Sequence, residues 1–307
     1  MRLVTRHSSL NQNGMALVLT LMMLVIMTAM VTEFSYGVYT TTSALHNWKE
    51  SQKLSFIARS GVALAAKNIS DFQNLYSYTY PGKVEIPVVN IVGGFEGSVL
   101  VRVEDENSKF NLNSIINQNG TTNSTAFNSF KRLLRGLELR EDIAGFISDW
   151  IDKDSEPRAG DSEEGAKNAY MDSVDELLLI KGIDGRVYEK LSPYVTVYGI
   201  DRVDANLLNI NTAPVAVIMS MDDNITKELA ERVAHYREVE PFKRISDLVA
   251  VAGFEGALGQ SLMNRVVVKA TNFRITSMSE DNRIKRIIES VIEVRGSSSA
   301  VKYWKEI

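Results

Sequence analysis

Gly14-Met15-Ala16-Leu17-Val18-Leu19-Thr20-Leu21-Met22-Met23-Leu24-Val25-Ile26-Met27-Thr28-Ala29-Met30-Val31 is the stretch that decides how the sequence is read. From Met15 to Thr32 no residue carries a charge. As a helix rising about 1.5 Å per residue, the run crosses most of a bilayer's hydrocarbon. Ahead of it, Met1 to Gly14 has Arg2 and Arg6 as its only charges. Positive flanks stay on the cytoplasmic side, which places the N-terminus inside and the bulk of the chain outside. A secretory signal peptide has a shorter apolar region, about 7–15 residues, and a small-residue cleavage site after it. Here the run is longer and is followed by Thr32-Glu33-Phe34-Ser35-Tyr36. An uncleaved signal anchor is the plain alternative.

Outward from that anchor, the composition is ordinary for a globular protein, with 45% hydrophobic and 23% charged residues. The length of 307 residues allows one large or two modest domains beyond the span. There is no cysteine, so no disulfide braces the outer part. Zinc is disfavoured as well, because the three histidines, His7, His46 and His235, are far apart in sequence. A formal net charge of −4 gives no footprint for nucleic acid.

No proline occurs from Met1 to Tyr80, so a helix continuous with the span is allowed to about Ser70. Such a helix of about 55 residues is roughly 80 Å long, half in lipid and half packed on a globular head. Val84–Val89 and Phe95–Glu104 read as an antiparallel hairpin around Gly93-Gly94, with Pro87 marking an edge strand. The same β-branched texture returns at Phe273–Met278, Ile284–Val294 and Ala300–Trp304. Between these strands lies a long middle of helix and loop. Strands at both ends of a helical middle imply an insertion into one sheet. The predicted fold class is therefore α+β: a long N-terminal helix on an antiparallel sheet, with a large all-α insertion. The segments are 1–14 leader, 15–70 helix, 71–106 first part of the sheet, 107–270 insertion and 271–307 last part of the sheet.

The insertion opens with Lys109-Phe110-Asn111-Leu112-Asn113-Ser114. Asp149-Trp150-Ile151-Asp152-Lys153-Asp154-Ser155-Glu156-Pro157-Arg158 then leads into the acidic loop Gly160-Asp161-Ser162-Glu163-Glu164-Gly165. Crowded carboxylates on a Gly/Ser segment suit Ca²⁺, which takes about 6–8 oxygen ligands in loose geometry. The EF-hand pattern is absent, so a solvated acidic loop is the other reading. Two further segments, Ser173–Asp184 and Ile245–Phe254, look like one small helical module repeated. Each has an N-cap-like start, then an apolar turn closed by glycine. Between them, Asn209-Ile210-Asn211-Thr212-Ala213-Pro214 opens another helix. No Gly-x-Ser-x-Gly, His-Glu-x-x-His or phosphate-loop pattern appears, and an enzyme is not expected. His235 reads as a helix-surface residue.

These stretches carry a resemblance. A leader ending in glycine ahead of a long apolar helix resembles a type IV prepilin. That implies cleavage by prepilin peptidase after Gly14 and N-methylation of Met15. Most pilins place a glutamate five residues after the cut, and this chain has Leu19 there. A carboxylate at that depth persists in lipid only for a partner, normally the terminal amine of a neighbouring subunit. Its absence, the Lys109–Ser114 opening and the Asp149–Tyr170 stretch together resemble the K subunit, a minor pseudopilin of type II secretion. The resemblance covers essentially the whole chain. It implies a pilin fold anchored by one pass in the bacterial inner membrane, its C-terminal domain in the periplasm and, after assembly, at the pseudopilus tip. It implies the I and J minor pseudopilins as partners and admits the major pseudopilin as a neighbour. It also implies calcium, with Asp152, Asp154, Asp161, Glu163 and Glu164 as candidate ligands. The hairpin-like modules and Asn-Ile-Asn-Thr-Ala equally resemble membrane-anchored DNA receptors of competence. Acids outnumber bases across 107–270, the wrong sign for phosphate, so no nucleic acid is expected.

Overall fold

The structure is a computed structural model and describes residues 12–79, 84–88, 97–154, 156–158, 165–281 and 284–307. Helix α1 (Gln12–Leu75) is followed by strands β1 (Val84–Val88) and β2 (Ser98–Asp105). Then come β3 (Phe110–Asn111), α2 (Ser124–Gly136), α3 (Ile143–Ile151), α4 (Gly185–Leu191) and β4 (Val195–Thr196). A second set follows: β5 (Leu208–Asn209), α5 (Val215–Met219), α6 (Lys227–Val239), α7 (Ala257–Leu262) and β6 (Val266–Val267). Strands β7 (Asn272–Asp281), β8 (Ile284–Arg295) and β9 (Ser298–Glu306) close the chain.

Two compact units divide within α1, one ending at Leu54 and the other running Ser55–Ile307. In the first, the apolar side chains from Met15 to Val31 are exposed. The helix holds a window of mean hydropathy 2.4 with none of it buried, long and apolar enough to cross a membrane. Thr20 and Thr28 turn their hydroxyls back onto the Leu17 and Leu24 carbonyls, so these polar groups stay bonded inside an apolar run.

In the second unit, β1-β2-β7-β8-β9 form one antiparallel sheet. Val101 pairs with Ser277 and Ser277 with Ile288, so these three share a face. The buried residues Ile57, Ala58, Val62 and Ala65 of α1 come from a helix that approaches that face closely. Gly61 is why: a Cβ there would overlap the Ser277 hydroxyl and press on Val101. Pro87 lies in the edge strand β1, as read from the sequence, where its missing N–H costs no ladder bond. The opposite edge, β9, carries exposed Lys302, Lys305 and Glu306, charges that discourage pairing with another strand. The Arg59 guanidinium reaches Glu306 at 2.9 Å and ties helix to edge.

The insertion between β2 and β7 has its own core around Phe110, Phe130, Leu133, Leu134, Ile147 and Phe254. Phe110 and Phe130 stack with ring centroids 5.3 Å apart. Each such buried side chain contributes roughly 1.5–3 kcal/mol. Beyond the helices expected here, two short parallel pairs appear, β3 with β4 and β5 with β6.

Those pairs mark a structural repeat. In the first copy the Asn113 amide donates to Met171 O (2.9 Å) and Val197 O (3.0 Å) and accepts from Met171 N (2.8 Å). In the second, Asn211 donates to Phe242 O (2.9 Å) and Val268 O (3.2 Å) and accepts from Phe242 N (2.9 Å). Asn111 and Asn209 each accept the N–H of the residue two ahead, at 3.1 Å in both copies. Asn-x-Asn at each entry thus holds a loop and a returning strand together. Each copy then makes a short 3₁₀ turn, Val174–Leu179 and Ile245–Ala250. A glycine follows at positive φ, Gly182 (87°) and Gly253 (102°), where a side chain would be strained.

One local expectation is refined. Ser173 caps its turn, reciprocated by Glu176. Ser246 is not a cap: the Asp247 carboxylate accepts Lys243 N (3.1 Å) and Arg244 N (2.9 Å). Glu176 does the same for Asp172 N (2.7 Å) and Ser173 N (3.2 Å). The shared device is the carboxylate at the third turn position, which satisfies orphan amides from inside the turn.

Candidate functional site

The acidic stretch begins where α3 ends. Asp149 lies in its last turn and Asp152 follows its end, and both side chains are fully buried. Buried carboxylates require a cationic or hydrogen-bonding partner. Arg158 supplies one. Its Nη1 donates to Asp149 Oδ1 at 2.9 Å and to Asp152 Oδ2, and its Nη2 reaches Asp154 Oδ2 at 3.3 Å. Its backbone N–H also donates to Asp149 Oδ2 at 2.7 Å. The Glu156 N–H (3.0 Å from Asp154 Oδ1) and then the Arg158 charge hold the Asp154 carboxyl below its usual range. Burial works against the charge on Arg158, yet the Asp149 bond and the neighbouring carboxylates outweigh it and raise the guanidinium's pKa.

Of the five candidate calcium ligands, Asp152 and Asp154 are therefore brought together, along with Asp149. Asp161, Glu163 and Glu164 lie outside the described residues. Among the described residues no group of three or more His, Cys, Asp or Glu is arranged to hold a metal. The donor chemistry nonetheless fits a hard divalent cation. Three carboxylates share one guanidinium, so these four side chains sum to −2 (one positive, three negative). Arg158 is visible in the sequence, but its place among the carboxylates is not, because its role follows from the loop doubling back on α3.

At the join of sheet and insertion stand two adjacent carboxylates that no sequence signal marks. Asp105 accepts from the Asn209 amide (2.7 Å), the Thr212 hydroxyl and Asn107 N (2.7 Å). It holds the second repeat. Burial outweighs these bonds and pushes its carboxyl up to about 6. Glu106 accepts from the Thr196 hydroxyl (2.6 Å) of the first repeat, from Lys109 (2.7 Å) and from Arg274 (2.6 Å) on β7. Burial opposes its charge, but Lys109 and Arg274 dominate and bring it down to about 2. Neighbours in sequence, the two carboxylates serve opposite repeats.

The hairpin-like modules resolve the nucleic-acid question. A phosphate would need free backbone amides at the glycine turns. In the first repeat the Asp184 carboxylate caps α4 and accepts Val187 N at 2.8 Å. In the second, Glu255 accepts Gly253 N at 2.8 Å. Each turn presents a negative group of its own. His235 is an exposed residue of α6, as expected.

At the other end of the chain, Gly14 and Met15 sit in the first turns of α1, exposed.

Comparison with known proteins places this architecture. Two family models, both described as type II secretion system (T2SS), protein K, match residues 108–199 and 208–269. Those two spans are the two repeats. The type II secretion system protein K of Aeromonas hydrophila is 25% identical over 324 aligned positions, covering 94% of each chain. That of Pseudomonas aeruginosa is 30% identical over 166 positions, covering 49% of this chain and 48% of the relative. That of Dickeya chrysanthemi is 28% identical over 141 positions, covering 43% of this chain and 40% of the relative. Among solved structures, a chain of the GspK-GspI-GspJ complex from enterotoxigenic Escherichia coli matches with a TM-score of 0.69 at 20% identity. The match covers 85% of this chain and 98% of that one, and at this identity it establishes the fold. With both repeats matched by protein K models, full-length similarity to a named relative and a pilin-like fold carrying an all-α insertion, the chain belongs to the protein K family of the type II secretion system.

Proposed function

We propose that this minor pseudopilin caps the tip of the type II secretion pseudopilus. It joins the I and J minor pseudopilins, initiates assembly and supports export of folded proteins across the outer membrane. The observation that carries the reading is the pairing of an acid-free apolar helix, Leu19 included, with a two-repeat insertion. A helix with no buried carboxylate has nothing to offer a subunit ahead of it. Prepilin peptidase cuts after Gly14 and Met15 becomes the methylated N-terminus. The span then exchanges lipid for neighbouring helices, a swap driven by packing because both surroundings are apolar. The bulk of the chain faces the periplasm. Calcium, when bound, supplies positive charge to the acidic loop, with Asp152, Asp154, Asp161, Glu163 and Glu164 as its ligands. The chain's own part is to converge those carboxylates at the end of α3.

The test is co-expression of the full chain with I and J subunits and prepilin peptidase. Expected are a ternary complex and an intact mass beginning at Met15 with one added methyl. A chain retaining Arg2 to Gly14, or one found repeatedly along the shaft by immunolabelling, would sink the proposal.

A further inference from the structure

The two repeats provide an internal control for the acidic loop. Asn113 and Met171, bonded to one another, are 58 residues apart; their counterparts Asn211 and Phe242 are 31 apart. Much of the difference falls after the last helix before the anchor. In the second repeat α6 ends at Val239, and Glu240 and Pro241 alone lead to Phe242. In the first, α3 ends at Ile151 and residues 152–170 precede Met171. The fold closes without such a loop, so the loop is not there to close the fold.

What the loop brings is Arg158, set among Asp149, Asp152 and Asp154. Two of those carboxylates are wholly buried, while the Arg158 side chain retains 30% exposure. Stripping the cation from buried carboxylates is costly, so a positive charge has to be present whatever the metal content of the surroundings. A divalent cation at the same oxygens would meet the guanidinium as a like charge at contact range.

We infer that Arg158 is a tethered stand-in for the cation: it neutralises the Asp149–Asp152–Asp154 cluster in the metal-free protein and is displaced when calcium enters. This rests on the calcium reading given above. Calcium binding and release of the Arg158 segment are then two sides of one equilibrium, and each opposes the other by the same factor.

The experiment uses the full chain in detergent, freed of calcium with a chelator and titrated calorimetrically with CaCl₂. Arg158→Gln should bind calcium on the order of tenfold more tightly than the parent, because no internal cation competes. Its thermal midpoint should be lower than the parent's in chelator, with the gap closing at saturating calcium. Arg158→Lys, which keeps the charge, should stay near the parent. In the unaltered protein, phenylglyoxal labelling of Arg158, read by peptide mass spectrometry, should rise several-fold on adding calcium. Unchanged or weaker calcium affinity in Arg158→Gln, or labelling indifferent to calcium, overturns the inference while leaving calcium binding intact. A parent and variant that both ignore calcium overturn the calcium reading as well, so the two failures are told apart. The labelling arm needs no substitution and stands even where Arg158→Gln does not fold.

Discussion

The two repeats of the insertion share a skeleton and differ in what they carry. Both enter on Asn-x-Asn, both anchor a loop and a returning strand through the second asparagine, and both turn on a carboxylate and a glycine at positive φ. Only the first continues from its helix into an acidic loop centred on an arginine. That contrast separates folding from function. Whatever both copies keep serves folding, and whatever one copy adds serves something else. Low identity between the copies does not blur this, because the element they share is a hydrogen-bond geometry rather than a side-chain pattern.

The largest effect should come from the anchoring asparagines. Each makes three hydrogen bonds inside the core, and truncation strands the buried N–H and C=O groups it satisfied. Asn113→Ala and Asn211→Ala should each cost about 3–5 kcal/mol in urea denaturation of the full chain. Costs differing by more than about 2 kcal/mol would undo the equivalence of the repeats.

Next come the two carboxylates that fasten the repeats to β2. Glu106, lowered from 4.5 to about 2, contributes stability above its unfolded pKa and loses it as pH falls through the folded value. Asp105, raised from 3.8 to about 6, does the opposite: its contribution is complete below 3.8 and is lost as pH rises through about 6. Each shift corresponds to about 3 kcal/mol. Glu106→Gln should therefore destabilise at neutral pH by about that amount and remove the loss on strong acidification. Asp105→Asn should remove the gain in stability seen on acidifying from about 6 towards 3.8. Thermal midpoints measured across this range for both variants decide the matter. Parallel pH profiles for the two would refute the assignment of opposite signs.

The smallest effect belongs to the glycine turns. Gly182→Ala and Gly253→Ala place a Cβ at positive φ and should each cost about 1 kcal/mol by the same denaturation assay. A neutral substitution at either site would show that its turn relaxes out of the left-handed region, and that the two copies differ there too.

Much of this protein is legible in its residues alone. The uncharged run from Met15 to Thr32 announces a spanning helix, and the absence of proline up to Tyr80 allows α1 to continue unbroken to Leu75. β-branched runs on either side of a helical middle announce one sheet with an insertion, and β2 does pair with β7 across it. Turn chemistry tells less. Ser246 reads as a cap, yet Asp247 is the group that caps, since both sit within reach of the same amides and only the fold chooses between them.

The order of residues was enough for the elements that local physics dictates: a helix too apolar to be watered, strands with period two, an edge at Pro87, and a loop too acidic for nucleic acid. Three pairings between residues distant along the chain were settled only by the packed fold: Asn211 with Val268, Glu106 with Arg274, and Arg158 with the carboxylates at the end of α3. The reason is the same in each case. A polar group must find a partner once water is removed, and which partner it finds depends on how the chain returns to it.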